Sequence, residues 1–186
     1  RLQRLRLPED GWLTATVAVA CVASVLATWY FFEQKQLLIY NDAFSHLAIS
    51  RFVFDNSSPG LAQLGGVWLP LPHVLMIPFV AIEPFWRTGL AGAAVSMPMY
   101  VLTALYVFLS VRRLTHNSIA GFIGALTFVL NPNVLYLQAT PLTEVLAAAT
   151  ITSSTYYFLS WIQDQKPQQL LYLAIATFLA TLSRYD

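Results

Sequence analysis

The chain has 186 residues, of which 57% are hydrophobic and only 10% are charged. A soluble domain carries about a quarter charged residues, so this composition excludes an ordinary water-soluble protein. The formal net charge is +1, and the ten basic residues are scattered in short groups, which argues against a nucleic-acid partner.

Long segments without Asp, Glu, Lys or Arg recur along the chain, and about 20 mostly apolar residues are enough to cross a bilayer. Trp and Tyr lie near the ends of these segments, as they do at membrane interfaces. We therefore predict an all-α integral membrane protein, a polytopic helical bundle with about five transmembrane helices in one domain, 1–186. The predicted spans are 12–32, 88–111, 118–137, 145–162 and 170–183.

The first span, 12–32, follows an arginine-rich amino terminus. It is too long, and too poor in a small-residue cleavage site, for a signal peptide, so we expect a permanent span. Its Cys21 is the only cysteine in the chain, so an internal disulfide cannot form.

The outer loop that follows, 33–87, begins with a predicted amphipathic juxtamembrane helix at 41–54, which the turn-forming residues 56–60 end. Asp42 and His46 are four residues apart, so they lie on one face of that helix. A carboxylate in this position is suited to act as a base toward an acceptor group, or to help hold a divalent cation. Alternatively, Asp42 caps a surface helix and His46 is solvated.

The end of the same loop, 68–87, is apolar but contains four prolines. Proline removes a backbone donor and interrupts helical hydrogen bonding, and about a dozen apolar residues are too few for a span. We predict a non-spanning hairpin or juxtamembrane helix here. His73 in this segment is either a ligand or a structural histidine. Arg51, before it, either binds a phosphate or contacts lipid head groups.

The assignment of 68–87 decides the predicted topology. If this segment does not span, six of the ten basic residues share the side of the amino terminus, which the positive-inside rule identifies as the cytoplasm. Asp42, Glu144 and Arg184 then all face the outer side. If it spans, Asp42 and Glu144 lie on opposite faces and cannot share a site. The six basic residues are Arg1, Arg4, Arg6, Arg112, Arg113 and Lys166.

Glu144 follows residues 140–143, a pattern that predicts an N-cap at Thr140 and Pro141 in the first helical position. The helix dipole is enough to explain an acid in the first turn. An ionisable group at the edge of an uncharged run is nevertheless a candidate site residue. Arg184, which emerges from the last predicted span, is a candidate anion-binding residue.

The order of these parts is distinctive. A basic amino terminus and one span precede an acidic residue, a Pro-rich juxtamembrane segment and a span closed by basic residues. The stretches concerned are 40–46, 68–73, 139–144 and 182–186. In this order the chain resembles the GT-C glycosyltransferases, in particular the bacterial and archaeal relatives of protein O-mannosyltransferases and of the aminoarabinose transferase of lipid A, which are similar to glycosyltransferase family 39.

The resemblance implies transfer of a sugar from a polyprenyl-phosphate donor to an acceptor at the outer membrane face, with inversion at the anomeric carbon. Asp42 would be the catalytic base, and Glu144 would assist it or bind a divalent metal ion with it. The cations would neutralise the donor phosphate. The implied substrate-binding residues are Arg184, Arg51, His73 and His46. The implied location is a prokaryotic inner or plasma membrane with a cytoplasmic amino terminus.

Two other interpretations stay open at this point. A transporter fragment would also place prolines and ionisable residues near span ends, but no charge lies in the middle of a predicted span and no inverted repeat is evident. The second interpretation is a structural membrane subunit that is bound to other subunits. The chain begins at Arg1 and ends at Asp186 directly after an apolar run, so we expect the amino-terminal part of a longer protein, inactive alone.

Overall fold

The computed structural model describes residues 9–64 and 66–185, and in these residues all regular structure is helical. The predicted all-α class is therefore confirmed for them. The amino-terminal arginines Arg1, Arg4 and Arg6, used above to orient the chain, lie outside the described residues, as does Asp186. The helices are α1 (Glu9–Glu33), α2 (Asn41–Arg51), α3 (Pro70–Val80), α4 (Glu83–Thr88), α5 (Leu90–Thr115), α6 (Ser118–Val129), α7 (Pro132–Leu137), α8 (Glu144–Asp164) and α9 (Pro167–Thr181).

In the described part of the chain, two helices are long and apolar enough to cross a membrane: α1 from Gly11 to Glu33, and α5. They contain 23 and 26 residues, or roughly 35 and 39 Å at about 1.5 Å per residue. Only 22% and 33% of their most apolar windows are buried inside the fold. Most of their apolar surface therefore faces outwards, whereas the core helix of a soluble protein buries it.

The segment predicted as a single span, 118–137, instead forms two helices, α6 and α7. The side chain of Asn131 accepts hydrogen bonds from the backbone N–H of Asn133 at 3.0 Å and of Val134 at 3.4 Å. Pro132 follows in the first helical position, where its missing N–H costs nothing. A new helix therefore begins at Pro132.

The Pro-rich segment 68–87 forms two short helices, α3 with 11 residues and α4 with 6. Pro70 begins α3, and Gly89, with φ of 87°, ends α4 and precedes α5. At about 1.5 Å per residue α3 covers roughly 17 Å, about half the thickness of a bilayer's hydrocarbon core. This length agrees with the prediction that the segment does not cross a membrane by itself.

The helix α5 is the centre of the bundle and packs against α1, α3, α6 and α8. Tyr100 of α5 is fully buried, and its hydroxyl donates to the carbonyl of Val129 at the end of α6, at 2.7 Å. Tyr100 belongs to a buried cluster that also contains Ala20 of α1 and Ala104 of α5, and these small side chains let the helices approach closely. A second buried cluster fixes the short helices on one end of the bundle. Its members are Leu47, Met76, Val80 and Ala91.

Candidate active site

A cavity of about 160 Å³ lies at the end of the bundle where α2, α3 and α8 begin and α9 ends. A backbone hydrogen bond from the N–H of Leu71 to the carbonyl of Leu182, at 3.2 Å, joins the starts and ends of these helices. Acidic and basic side chains from three distant parts of the sequence line the cavity. They are Asp42, His46, Glu144 and Arg184.

Asp42 lies in the first turn of α2 and is exposed. Tyr40, not Asp42, occupies the N-cap position, and no side chain caps this helix. The alternative explanation that Asp42 serves as a helix cap is therefore wrong. His46, one turn later, is buried at 4% exposure, which also excludes the solvated histidine. The predicted shared face of Asp42 and His46 is confirmed, since both border the cavity.

His46 and His73 form a buried pair. Nδ1 of His46 lies 2.9 Å from Nε2 of His73, and the indole of Trp68 packs against His46 with ring centroids 4.6 Å apart and a tilt of 44° between the rings. Burial lowers the pKa of His73 to about 4, helped by the neighbouring His46 and opposed by a contact with the Leu69 backbone. Burial also lowers the pKa of His46, although Asp42 opposes this. Both rings are therefore neutral near pH 7, and one of them donates to the other.

The low pKa of His73 predicts a pH-dependent stability. Between about pH 6.5 and 4 the unfolded histidine takes up a proton that the folded one refuses, so stability falls as the pH falls, by at most about 1.4 kcal/mol per pH unit for one proton. We expect the unfolding temperature in detergent to drop less steeply between pH 7 and 5 in H73Q than in the wild type. H116Q, at an exposed position, is the control. Equal slopes in H73Q and the wild type would contradict the assignment.

Glu144 and Arg184 form an ion pair across the cavity, with Nη1 of Arg184 2.7 Å from Oε1 of Glu144. Their side chains are 37% and 35% exposed, so the pair is open to a ligand. The second carboxylate oxygen, Oε2, is buried and has no hydrogen-bond partner among the described residues. The pair therefore offers a fixed positive charge beside a carboxylate that is only partly satisfied.

The loop before α8 is held by buried polar contacts. Gln138 is fully buried, and its amide binds the hydroxyls of Ser24 at 2.6 Å and Thr28 at 3.2 Å on α1. Ser96 of α5 donates to the carbonyl of Thr140 at 3.1 Å. These contacts hold the loop in place. They thereby position Glu144, the cavity residue that directly follows the loop.

The helix α8 begins at Glu144, with Thr143 in the N-cap position, three residues later than predicted. The hydroxyl of Thr140 donates instead to the carbonyl of Leu137 at 2.8 Å and helps to close the preceding turn. Pro141 therefore belongs to the loop, where it packs against Gly92.

Arg51 does not line the cavity. Its guanidinium contacts Glu83 and Asp55, each at 3.1 Å, and donates to the carbonyl of Val80 at 2.7 Å. The side chain also lies over the rings of Phe54 and Trp86. Arg51 thus joins α2 to α3 and α4. His73 likewise lies behind the cavity, and touches it through His46.

Several uncharged residues that line the cavity were not predicted from the sequence, among them the three residues Trp68, Ser183 and Tyr185. All three occur in the stretches that carry the family resemblance, but none is charged, so charge alone did not select them. Gln138 was not predicted either, although a polar amide inside an apolar segment is a feature that could have identified it. Within the described residues, no group of three or more His, Cys, Asp or Glu side chains could hold a metal ion.

The chain matches a known protein family. The sequence model of a family described as dolichyl-phosphate-mannose-protein mannosyltransferase matches residues 73–186. This region is more than half of the chain and includes Glu144 and Arg184, whereas Asp42 and His46 precede it. No curated protein and no solved structure matches the chain.

Proposed function

Because the chain belongs to the dolichyl-phosphate-mannose-protein mannosyltransferase family, we propose that it transfers a sugar from a polyprenyl-phosphate donor to an acceptor at the outer face of a membrane. Proteins of this family are membrane-embedded. The observation that carries the proposal is the single cavity shared by Asp42, His46 and the Glu144–Arg184 pair. Activation of the acceptor needs a carboxylate such as that of Asp42, and neutralisation of the donor phosphate needs a cation such as Arg184.

We propose the five-span topology with a cytoplasmic amino terminus for this enzyme, in which α6 and α7 together make the third crossing. The cavity supports it, because Asp42 and Glu144 border the same space, and an additional span between them would separate them by the bilayer. The short helices α3 and α4 then lie at the outer surface. A lipid-linked donor is held at that depth, so its head group can enter the cavity while its chain stays in lipid.

Asp42 is the proposed general base. Its carboxylate takes the proton from the acceptor hydroxyl or amine as that group attacks the anomeric carbon of the donor sugar. The bond between this carbon and the phosphate oxygen breaks, and the electron pair leaves with the polyprenyl phosphate. Attack from the face opposite the phosphate inverts the configuration. His46, neutral and bordering the same cavity, binds the sugar.

Arg184 is the proposed phosphate-binding residue. Negative charge grows on the phosphate oxygen as the bond to the sugar breaks, and a preorganised guanidinium stabilises that charge. Glu144 holds Arg184 in place through the 2.7 Å contact. If the enzyme uses a divalent ion, Asp42 and Glu144 would be the residues that hold it, and the ion would supply further positive charge for the donor phosphate.

The proposal is tested by measuring the consumption of radiolabelled polyprenyl-phosphate mannose by native membranes that contain the protein. We expect R184Q to lower the rate by about 10²–10³-fold, as removal of one preorganised donor does. R87Q is the matched control, since Arg87 on α4 is exposed and paired with Glu83. A full-length wild-type protein that neither binds nor consumes this donor would refute transfer of mannose and favour the structural subunit.

A further inference from the structure

A second polar cleft lies at the opposite end of the bundle, one length of α8 away from the cavity. The carboxyl-terminal ends of α5 and α8 and the amino-terminal end of α6 meet there around a space of about 470 Å³. The start of α1 is at the same end, because Trp12 packs on Phe122 with ring centroids 5.2 Å apart. The polar residues that line the cleft are Arg112, Arg113, His116, Ser118, Tyr156 and Gln163.

Arg113 is a fixed donor on the wall of this cleft. Its Nη2 contacts Oδ1 of Asp164 at 2.6 Å and the carbonyl of Ser160 at 3.4 Å, and its side chain is only 21% exposed. Its Nε is buried and donates to no group in the described part of the chain, and the buried hydroxyl of Ser160 likewise lacks a partner there. Unpaired buried donors cost free energy that an acceptor oxygen would recover.

The cleft has an excess of positive charge. Arg112 lies over the ring of Phe108 at 5.3 Å and forms no ion pair with the residues that the structure describes. Asp164, which contacts Arg113, already accepts a hydrogen bond from Gln169 at 2.9 Å. Lys166 interacts with Asp164 as well. Asp164 therefore has two basic neighbours, and Arg112 adds a positive charge with no carboxylate partner among the described residues, so an anionic ligand would balance the excess.

Two apolar side chains are exposed next to residues that line the cleft. Leu114 and Ile119 flank the turn between α5 and α6 and are 57% and 48% exposed. An inorganic anion would gain nothing from these side chains, whereas the acyl chains of a lipid would cover them. Guanidinium groups bind phosphate oxygens through two parallel hydrogen bonds, which suits a phosphate group entering between Arg112 and Arg113.

We propose that this cleft binds the phosphate of an anionic phospholipid, whose acyl chains lie along α5 and α6. Under the proposed topology the lipid belongs to the cytoplasmic leaflet. The proposed lipid site requires that the protein is embedded in a membrane, but it does not depend on the catalytic roles proposed for the residues of the cavity. Loss of lipid binding with normal sugar transfer, or the reverse, would therefore separate the two proposals.

The test uses the whole protein, purified in detergent and mixed with phosphatidylglycerol or phosphatidylcholine, with bound lipid measured by native mass spectrometry. We expect preferential retention of phosphatidylglycerol, reduced about fivefold by R112Q, since a basic residue at a membrane surface contributes about 1 kcal/mol. R113Q should reduce it further. Because R113Q also frees Asp164 and could unfold the helix ends, R112Q, which breaks no ion pair among the described residues, is the decisive variant. R87Q, at the other end of the bundle, is the control.

Inorganic phosphate and glycerol phosphate distinguish the source of the anion. Weak binding of both, with tight binding of phosphatidylglycerol, supports the lipid. Inorganic phosphate binding as tightly as the lipid would overturn the lipid assignment. Equal loss of lipid in R87Q and R112Q would show unspecific attraction and overturn the site.

Discussion

Replacing Asp42 with asparagine is expected to lower sugar transfer by about 10²–10⁴-fold, the usual contribution of a positioned general base. Asparagine has nearly the same shape but cannot take the acceptor's proton. The helix should persist, because Tyr40, and not Asp42, is in the N-cap position of α2. The loss of one acid near the helix dipole costs only about 0.3–1 kcal/mol. The measurement is the initial rate of transfer from polyprenyl-phosphate mannose in native membranes.

The control for D42N is D55N, the same chemical change just beyond α2. Asp55 is exposed and pairs with Arg51, outside the cavity. We expect D55N to keep a rate close to that of the wild type. Binding of the donor should survive in D42N, since Arg184 is intact. Undiminished transfer in D42N would refute the role of Asp42 even if the family assignment is correct.

Replacing Gly92 with alanine should have the largest effect on stability. An added Cβ would lie 2.2 Å from the Cα and 2.5 Å from the backbone nitrogen of Pro141. These backbone atoms cannot rotate away, so α5 and the loop must separate. Overpacking costs about 1–3 kcal/mol and occasionally more, and we expect the upper part of this range. The loop carries Glu144 into the cavity, so transfer should fall even in protein that still folds.

G124A is the matched control for G92A, because Gly124 also lies in a helix. There the added Cβ would meet a side-chain methyl, Cγ2 of Val111, at 3.0 Å, and that side chain can adjust. Thermal unfolding in detergent should show a clear decrease for G92A and a small change for G124A. Equal unfolding temperatures for G92A and the wild type would show that the loop is free to move, contrary to its buried contacts.

Local features of the site were predictable. The spacing of Asp42 and His46 placed both on one helix face, because a helix brings residues four apart together. The position of Glu144 in the first turn of a helix was also predicted from its neighbours, although the helix begins three residues later than predicted. Arg51 shows the limit of such arguments: its partners Val80 and Glu83 are about 30 residues away, and nothing in the local pattern of α2 indicates that they will bind it.

Composition and apolar runs determined the helical class and the approximate helix positions, because these depend on residue type and on neighbours within a few turns. The meeting of Asp42, Glu144 and Arg184 in one cavity was decided only by tertiary packing. Buried contacts such as those of Gln138 with α1 and of Gly92 with Pro141 fix where each segment ends. Such contacts join residues that are far apart in the chain, and no sequence period reports which of them will form.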